Sequence, residues 1–168
     1  MEEWRGGDER AATRLVERHA GPVARYLAGL GARDELDELV QDTFVRAFGS
    51  LDGFRGESAL RTWLLTIARR LLVDRRRARR RRAEEVTIGE SEAASGYDAL
   101  DALVASESEQ RVAVAIGSLS PMQREVFTLR VNEGLSYREI ADLVGSTEGA
   151  ARVHYHNAMR AVKERLDD

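Results

Sequence analysis

The chain has 168 residues, no cysteine, three histidines and a net charge of −3. Without cysteine it can form neither disulfide bonds nor a cysteine-ligated zinc site, and three scattered histidines give no basis for another metal site. The N-terminal segment is charged, and no uncharged apolar stretch approaches the length of a membrane span. We therefore expect a cytoplasmic protein with no metal ion or cofactor.

Charge is unevenly distributed along the chain. Residues 1–82 contain 18 arginines and 13 acidic residues, whereas residues 83–168 contain 8 basic and 16 acidic residues. Between Arg69 and Arg82 there are nine arginines and a single acid. Because phosphate responds to local potential rather than to net charge, this basic strip is compatible with nucleic-acid binding.

The first part of the chain is predicted to be helical. Apolar residues at three- and four-residue spacing follow a candidate N-cap at Asp8 and resume after a break at Gly21–Pro22. A further helix is predicted from about Asp34 to Phe48. The buried face expected for that helix consists of Leu36, Leu39, Val40, Thr43, Phe44 and Ala47.

A loop with two glycines, LDGFRGES, precedes a long helix that is expected to open near Ser58. The apolar face expected for this helix consists of Leu60, Trp63 or Leu64, Ile67 and Leu71. The helix then continues into the run RRRARRRR, so the arginines extend a packed element. A basic ridge beside a loop that carries Phe54 and Arg55 is suited to separated nucleic-acid strands, because arginines follow phosphates and an unstacked base can be held in a pocket. The alternative is a solvated helix end or a disordered basic tail.

Residues 83–107 are predicted to form a flexible acidic linker. From Ala83 to Gln110 there are eight acids and no basic residue, and large apolar residues are few. The linker divides the chain into an N-terminal domain, residues 1–82, and a C-terminal domain, residues 108–168. The expected fold is therefore all-α, with two small helical domains.

The C-terminal domain is predicted to contain a helix-turn-helix. Pro121 is suited to the first position of a helix, and Ser136 with Glu139 fits a capping box that opens another. Gly145 can supply the left-handed residue that ends this short helix, and Ser146 can cap the final one. These signals in this order are typical of the motif.

The final helix is predicted to have one packed face and one polar face. The packed face consists of Ala151, Tyr155, Ala158, Val162 and Leu166. Because the second helix of the motif enters the major groove, we expect base contacts from Thr147, Glu148, Arg152, Val153, His156 and Asn157. Tyr137 and Arg138, at the start of the supporting helix, are expected to meet phosphates. The alternative is a three-helix packing unit whose polar face is only solvated.

Enzymatic activity is not expected. His154 and His156 are two residues apart and point about 200° apart on a helix, so they do not converge on one metal ion. The sequence also contains no recognisable nucleophile, base and acid spacing and no glycine-rich loop that could hold a phosphate.

Two stretches of the sequence resemble a known family. DELVQDTFVRAFGSLDGFRGESALRTWLLTIARRLLVDRRRARRR resembles the conserved core of extracytoplasmic-function sigma factors, which are promoter-recognition subunits of bacterial RNA polymerase. LSPMQREVFTLRVNEGLSYREIADLVGSTEGAARVHYHNAMRAVKERL resembles their C-terminal promoter-reading domain. The two stretches stand in the family's order and cover about four-fifths of the chain.

The resemblance implies a division of labour among the helices. The helix near residue 40 would bind core polymerase, at the clamp helices of the largest subunit, through Asp37, Glu38, Leu39, Gln41, Asp42 and Phe44. The following loop and helix would recognise and open the −10 element through Phe54, Arg55, Ser58, Arg61, Trp63, Arg69, Arg70, Asp74, Arg75, Arg76 and Arg77. The last helix would read the −35 element as duplex DNA. The partner surface on core polymerase would also include the flap of the second subunit.

The resemblance further implies that the free protein is a monomer. Members of the family are commonly held inactive by an anti-sigma factor, so such a protein is a further expected partner. Several positions depart from the common pattern of the family. Arg70 stands where many members have asparagine. In the reading helix the common pattern is Thr-Val followed by basic residues, and this chain instead has Ala150, Ala151, Arg152, Val153 and His154, with Asn157 and Met159 where arginine is common. These departures predict a different base preference or weaker phosphate attraction without a change of fold.

Two rival functions remain open at this stage. One is a helix-turn-helix regulator that binds operators as a dimer without polymerase, which would leave the N-terminal half unexplained. The other is a helical protein that binds RNA or acts as a scaffold through its arginine run. Monomeric behaviour and comigration with core polymerase would favour the sigma factor, and a preference for structured RNA over forked promoter DNA would favour the second rival.

Overall fold

The computed structural model describes residues 9–56, 59–86 and 107–167. These residues form two compact helical units, one on each side of the segment 87–106. All regular elements of the described ranges are helices, which confirms the all-α prediction. No helix in these ranges has the length and apolar character that crossing a membrane requires.

Within residues 9–56 and 59–86, the first unit contains three α-helices. They are α1 (Glu9–Gly29), α2 (Leu36–Gly49) and α3 (Leu60–Val86), and a short 3-10 turn, Leu51–Gly53, follows α2. Each of the three helices packs on the other two. The unit core contains Val23, Tyr26, Leu27, Leu39, Phe44, Ala47, Leu64, Leu65, Ala68 and Leu72.

Helix α1 passes through Pro22 without interruption, so the break predicted at Gly21–Pro22 is wrong. A proline inside a helix removes one backbone hydrogen bond and costs about 3 kcal/mol relative to alanine. The turns that follow it bury Val23, Tyr26 and Leu27 almost completely, and this burial outweighs the local penalty. The predicted N-cap Asp8 lies outside the described residues.

Helix α2 follows its prediction closely. Leu39, Thr43, Phe44 and Ala47 are buried, and Leu36 and Val40 are half-buried. The hydroxyl of Thr43 donates to the carbonyl of Leu39 at 2.6 Å, so the buried polar group has a hydrogen-bond partner.

Helix α3 buries a wider arc than the predicted stripe. Leu64 and Ile67 are buried as expected, whereas Leu60, Trp63 and Leu71 are half-buried. The arc is completed by Thr62, Leu65, Ala68 and Leu72. A helix that contacts two neighbours needs more than one apolar stripe, and the sequence pattern showed only part of the arc.

Helix α3 begins where it was expected and ends later than expected. It begins at Leu60, close to Ser58, which itself lies outside the described residues. It ends at Val86, so residues 83–86 of the predicted linker are helical. Alanine, arginine and glutamate are good helix formers, which explains the extension. The rest of the predicted linker, residues 87–106, lies outside the described ranges.

Within residues 107–167, the second unit contains four helices. They are α4 (Glu107–Gly117), α5 (Pro121–Val131), α6 (Tyr137–Val144) and α7 (Glu148–Asp167). Helix α7 packs on the other three. One buried cluster in this unit contains Ala115, Leu119, Phe127, Ala158 and Val162.

The predicted capping box at Ser136 is confirmed. The Ser136 hydroxyl accepts from the Glu139 amide at 3.2 Å, and the Glu139 carboxylate accepts from the Ser136 amide at 2.9 Å. Gly145 has φ 71° and ends α6 in the left-handed conformation, as expected. These two devices fix both ends of the eight-residue helix α6.

The cap of α7 is Thr147 rather than Ser146. The Thr147 hydroxyl accepts from the amide of Ala150 at 3.2 Å, so the helix begins one residue later than the sequence suggested. The Ser146 amide instead donates to the carbonyl of Ala141 at 2.9 Å and belongs to the end of α6. Both residue types are good caps, and the tight turn at Gly145 decides between them.

Candidate nucleic-acid interface

Helix α7 presents a continuous polar face opposite its packed face. Ala151, Ala158 and Val162 are buried, whereas Tyr155 and Leu166 are half-buried. The candidates for base contact follow the other side of the helix. Thr147, Glu148, Arg152, Val153 and His156 are exposed, and Asn157 is half-buried. The structure therefore brings the six candidates to one accessible surface, the α7 face.

Arg152 is restrained on the α7 face by two neighbours. Its guanidinium bonds to the Glu148 carboxylate at 3.1 Å, one helical turn earlier. It also lies over the ring of Tyr137, 5.1 Å from the ring centroid. Both the ion pair and the cation–π contact are formed within the unit before any ligand binds.

Tyr137 and Arg138 have different surroundings at the start of α6. Arg138 is exposed, as a phosphate contact requires, whereas Tyr137 is half-buried. The guanidinium of Arg130 also lies over the Tyr137 ring, at 4.9 Å, and Tyr155 meets the ring edge-on at 5.9 Å. The phosphate role predicted for Tyr137 did not anticipate these ring contacts, which depend on residues distant in sequence.

The −10 candidates of the first unit surround the start of α3. Phe54 packs on Trp63 with ring centroids 4.9 Å apart, and this contact holds the loop after α2 against the helix. Arg55 is exposed in that loop, beside Gly56 with φ 72°. Arg61 and Arg69 are half-buried. Of the other candidates, Ser58 lies outside the described residues.

Two −10 candidates of the run RRRARRRR, Arg75 and Arg76, bond to groups of their own unit. Arg75 bonds to Glu35 at 3.3 Å, to Glu38 at 3.2 Å and closely to Asp42. Arg76 donates to the backbone carbonyl of Leu30. Arg75 and Arg76 were predicted to contact DNA, but the structure gives each of them a role in holding α3 against the rest of the unit.

The same ion-pair network involves two candidates for polymerase binding. Glu38 and Asp42 lie on α2 and share the guanidinium of Arg75, and Arg79 pairs with Glu35 just before α2. We call the set Glu35, Glu38, Asp42, Arg75 and Arg79 the α2–α3 ion-pair cluster. The cluster links the helix expected to bind polymerase to the helix expected to bind DNA.

Most of the basic run is exposed, and Arg69 and Arg75 are its half-buried members. Among the −10 candidates on α3, Arg70, Asp74, Arg76 and Arg77 are exposed. Arg80, Arg81 and Arg82, which continue the run, are exposed as well. These arginines give the described end of α3 a strongly positive surface.

The polymerase candidates on α2 divide into buried and exposed residues. Leu39 is 0% exposed and Phe44 is 5% exposed, so neither can touch a partner while the unit keeps its fold. Asp37, Glu38 and Gln41 are exposed. Val45, which was not among the candidates, is 64% exposed on the same helix. Val45 is one helical turn from Gln41 and outside the buried arc, and that spacing is the signal that could have identified it.

Burial and nearby positive charge lower the pKa of His19 on α1. The larger cause is desolvation of the half-buried ring, and the guanidiniums of Arg18 and Arg61 add to it. The neutral imidazole is therefore favoured in the folded state. Among the described residues, no group of three or more histidine, cysteine, aspartate or glutamate side chains is arranged to hold a metal ion.

Comparison with known proteins identifies both units. Residues 15–82 match the family model of Sigma-70 region 2, and residues 109–162 match that of Sigma-70, region 4. The ECF RNA polymerase sigma-E factor of Haemophilus influenzae is 31% identical over 95% of this chain and 89% of its own length. The sigma-E factor of Escherichia coli K12 is 32% identical over 95% of this chain and 88% of its own length.

A solved structure with a similar fold is the sigma factor RpoE of Bartonella quintana, crystallised in complex with the anti-sigma factor NepR. It has a TM-score of 0.72 and 26% identity, over 92% of this chain and 96% of that one.

We expect Arg75→Ala to destabilise the first unit. The change leaves three neighbouring carboxylates without their shared cation, and a partly exposed network of this kind contributes about 1–2 kcal/mol. Arg77→Ala is the matched control, because Arg77 is exposed and two residues away. Urea unfolding followed by tryptophan fluorescence reports on this unit, since Trp4 and Trp63 both precede residue 87. Equal midpoints for the two variants would contradict the role given to Arg75.

The stability of the first unit should also depend on pH through His19. Because its pKa in the folded chain is below the ordinary value of 6.5, the unfolded chain takes up the proton first as the pH falls. The free energy of unfolding should therefore fall as the pH drops below about 6.5 and level off below the lowered pKa. His19→Gln should flatten this part of the profile, whereas His156→Gln, on the exposed α7 face, should leave it unchanged.

Proposed function

The chain belongs to the sigma-70 family, as a member of its extracytoplasmic-function group, and on that premise we propose that its two units divide promoter recognition between them. Members of this group are non-catalytic initiation factors that direct RNA polymerase to specific promoters. The first unit would bind core polymerase and the −10 element, and the second would read the −35 element. The observation that carries this assignment is the match of the two family regions, in order, to the two units.

The α7 face supports −35 recognition by the second unit. A helix of about 10 Å diameter fits the major groove, and its first turns face the base edges. Arg152 would contact a base edge, Val153 would meet an apolar group such as a thymine methyl, and His156 and Asn157 would offer further polar contacts. Arg138 and the exposed amides of the first turn of α6 would hold the phosphate backbone.

The exposed surface of α3 and its adjoining loop supports −10 recognition by the first unit. Arg70 and Arg77 are exposed and would track the phosphates of a separated strand. Arg55 extends this surface onto the loop held by the Phe54 and Trp63 contact. Unstacking bases of the −10 element costs a few kcal/mol per step, and binding at polymerase and at the −35 element would offset that penalty.

The exposed side of α2 is the proposed contact with the clamp helices of the largest polymerase subunit. Asp37, Glu38 and Gln41 would form a polar rim, and Val45 would supply the apolar centre. Leu39 and Phe44 would act only by fixing the helix in its unit. The flap of the second polymerase subunit is the proposed partner of the second unit.

Holding two DNA-reading units in one chain raises the effective concentration of the second contact once the first has formed. We propose that the free protein is a monomer that joins core polymerase. The two rival functions predict otherwise, since an operator-binding regulator would be a dimer and an RNA-binding protein would not comigrate with polymerase. Size-exclusion chromatography with and without core polymerase separates these cases.

An anti-sigma factor is a further proposed partner. The support is the RpoE of Bartonella quintana, whose crystal structure contains the anti-sigma factor NepR. A protein of this class would compete with core polymerase for this chain.

The main test is transcription reconstituted with core polymerase and a promoter library randomised in the −35 region at fixed spacing. We expect the full chain to enrich a defined −35 sequence and Arg152→Ala to lower selection at one position, by about 1–3 kcal/mol or five- to 150-fold. Lys163→Ala is the control, because Lys163 is exposed near the far end of the same helix. No transcription above core enzyme alone would overturn the proposed function, and equal effects of the two variants would overturn the assignment of the α7 face.

A second test addresses the −10 surface through salt dependence. Each phosphate contact that is lost should reduce the slope of log affinity against log salt by about 0.7–0.9. We expect Arg70→Ala with Arg77→Ala to flatten the slope for forked promoter DNA bound to the polymerase complex. Arg46→Ala, exposed near the end of α2, is the control and should keep the wild-type slope. An unchanged slope in the double variant would contradict the proposed phosphate contacts.

A further inference from the structure

The ring of Tyr137 connects the interior of the second unit to the α7 face. The guanidinium of Arg130 lies over this ring, 4.9 Å from its centroid, and also donates to the carbonyl of Leu135 at 2.7 Å. Tyr155, half-buried on α7, meets the ring edge-on. The half-buried ring is thus held by contacts that do not involve the proposed DNA surface.

Arg152, on the α7 face, contacts the same ring. Its guanidinium is within 5.1 Å of the Tyr137 ring centroid and 3.1 Å from the Glu148 carboxylate. An exposed arginine ordinarily samples many rotamers and loses that freedom when it binds. The ring and the carboxylate restrict those rotamers before the DNA arrives.

We infer that Tyr137 is a positioning residue that preorganises Arg152 for reading a base of the −35 element. The inference rests on the proposed function of the α7 face. Arginine recognises guanine through two parallel hydrogen bonds to O6 and N7, and this geometry tolerates little rotation of the guanidinium. A fixed aromatic ring beneath the guanidinium therefore sharpens base discrimination without touching the DNA.

This role differs from the phosphate contact that the sequence suggested for Tyr137. A phosphate contact would use the phenol hydroxyl and would raise affinity for every DNA sequence equally. Positioning uses the π face of the ring and changes the ratio between preferred and other sequences. Two substitutions at this residue separate the two roles.

The test compares Tyr137→Phe with Tyr137→Leu in the full chain bound to core polymerase, using the randomised −35 library. Phenylalanine keeps the π face and lacks the hydroxyl, so Tyr137→Phe should keep the wild-type selectivity. Leucine fills similar space without a π face, so Tyr137→Leu should lower selectivity about two- to fivefold at the position that Arg152 reads. A uniform loss of affinity in Tyr137→Phe would overturn the inference in favour of a phosphate contact.

Combining the substitutions tests whether Tyr137 acts through Arg152. Once Arg152→Ala is present, Tyr137→Leu should cause no further loss of selectivity at that position. Additive losses would overturn the inference. If Arg152→Ala lowers selectivity and Tyr137→Leu does not, the positioning role fails while the proposed function stands; if Arg152→Ala has no effect, the function assigned to the α7 face fails as well.

A measurement on the unsubstituted chain does not depend on how well Tyr137→Leu folds. Protons beside the face of an aromatic ring resonate upfield, so the side-chain protons of Arg152 should be shifted upfield in the free protein, and those of Arg138 should not. Random-coil shifts for Arg152 would overturn the inference.

Discussion

The first unit depends on the pairing of Arg75 with the acids of α2 and of the residues just before it. Helix α3 has two requirements that oppose each other, since it must pack against α1 and α2 and must also carry a dense row of arginines. Like charges on one helix repel, and a basic helix end would tend to separate from the core. Glu35, Glu38 and Asp42 offset part of this charge at the point where the apolar face of α3 ends. The cluster extends the packed region by about one turn beyond Leu72.

The cluster also explains why the arginine run cannot be treated as one binding surface. Arg75, Arg76 and Arg79 bond to groups of their own unit, although Arg76 and Arg79 are also exposed, and Arg70 and Arg77 are exposed as well. Residues three and four apart share one side of a helix, so Arg75 and Arg79 lie together and Arg77 points elsewhere. Arginines that bond within the unit and arginines proposed to contact DNA thus lie at different points of the helical period.

Local signals in the sequence predicted much of the fold. The capping box of Ser136 and the left-handed Gly145 depend on neighbouring residues, and both are confirmed. Features that depend on distant contacts were missed. The passage of α1 through Pro22 reflects the burial of Tyr26 and Leu27, and the partners of Arg75 are more than 30 residues away in the chain.

The candidate sites were predictable to a similar extent. Helical periodicity separated the two faces of α7 correctly, because a single packed stripe has a clear signal. On α2 the candidates for polymerase binding came from the resemblance to a family, which does not separate buried residues from exposed ones. Leu39 and Phe44 were therefore included with Asp37 and Gln41, and the exposed Val45 was omitted.

The division of α7 into two faces has a consequence for how promoter preference can diversify. The Thr147 cap fixes where α7 begins, and the buried side chains of Ala151, Ala158 and Val162 pack the helix against its unit. Positions such as Val153 and His156 belong to neither set, and surface substitutions of this kind change stability by about 0.5 kcal/mol or less. On the proposed function of the α7 face, these side chains can therefore be exchanged to give a different target sequence while the fold of the unit is kept.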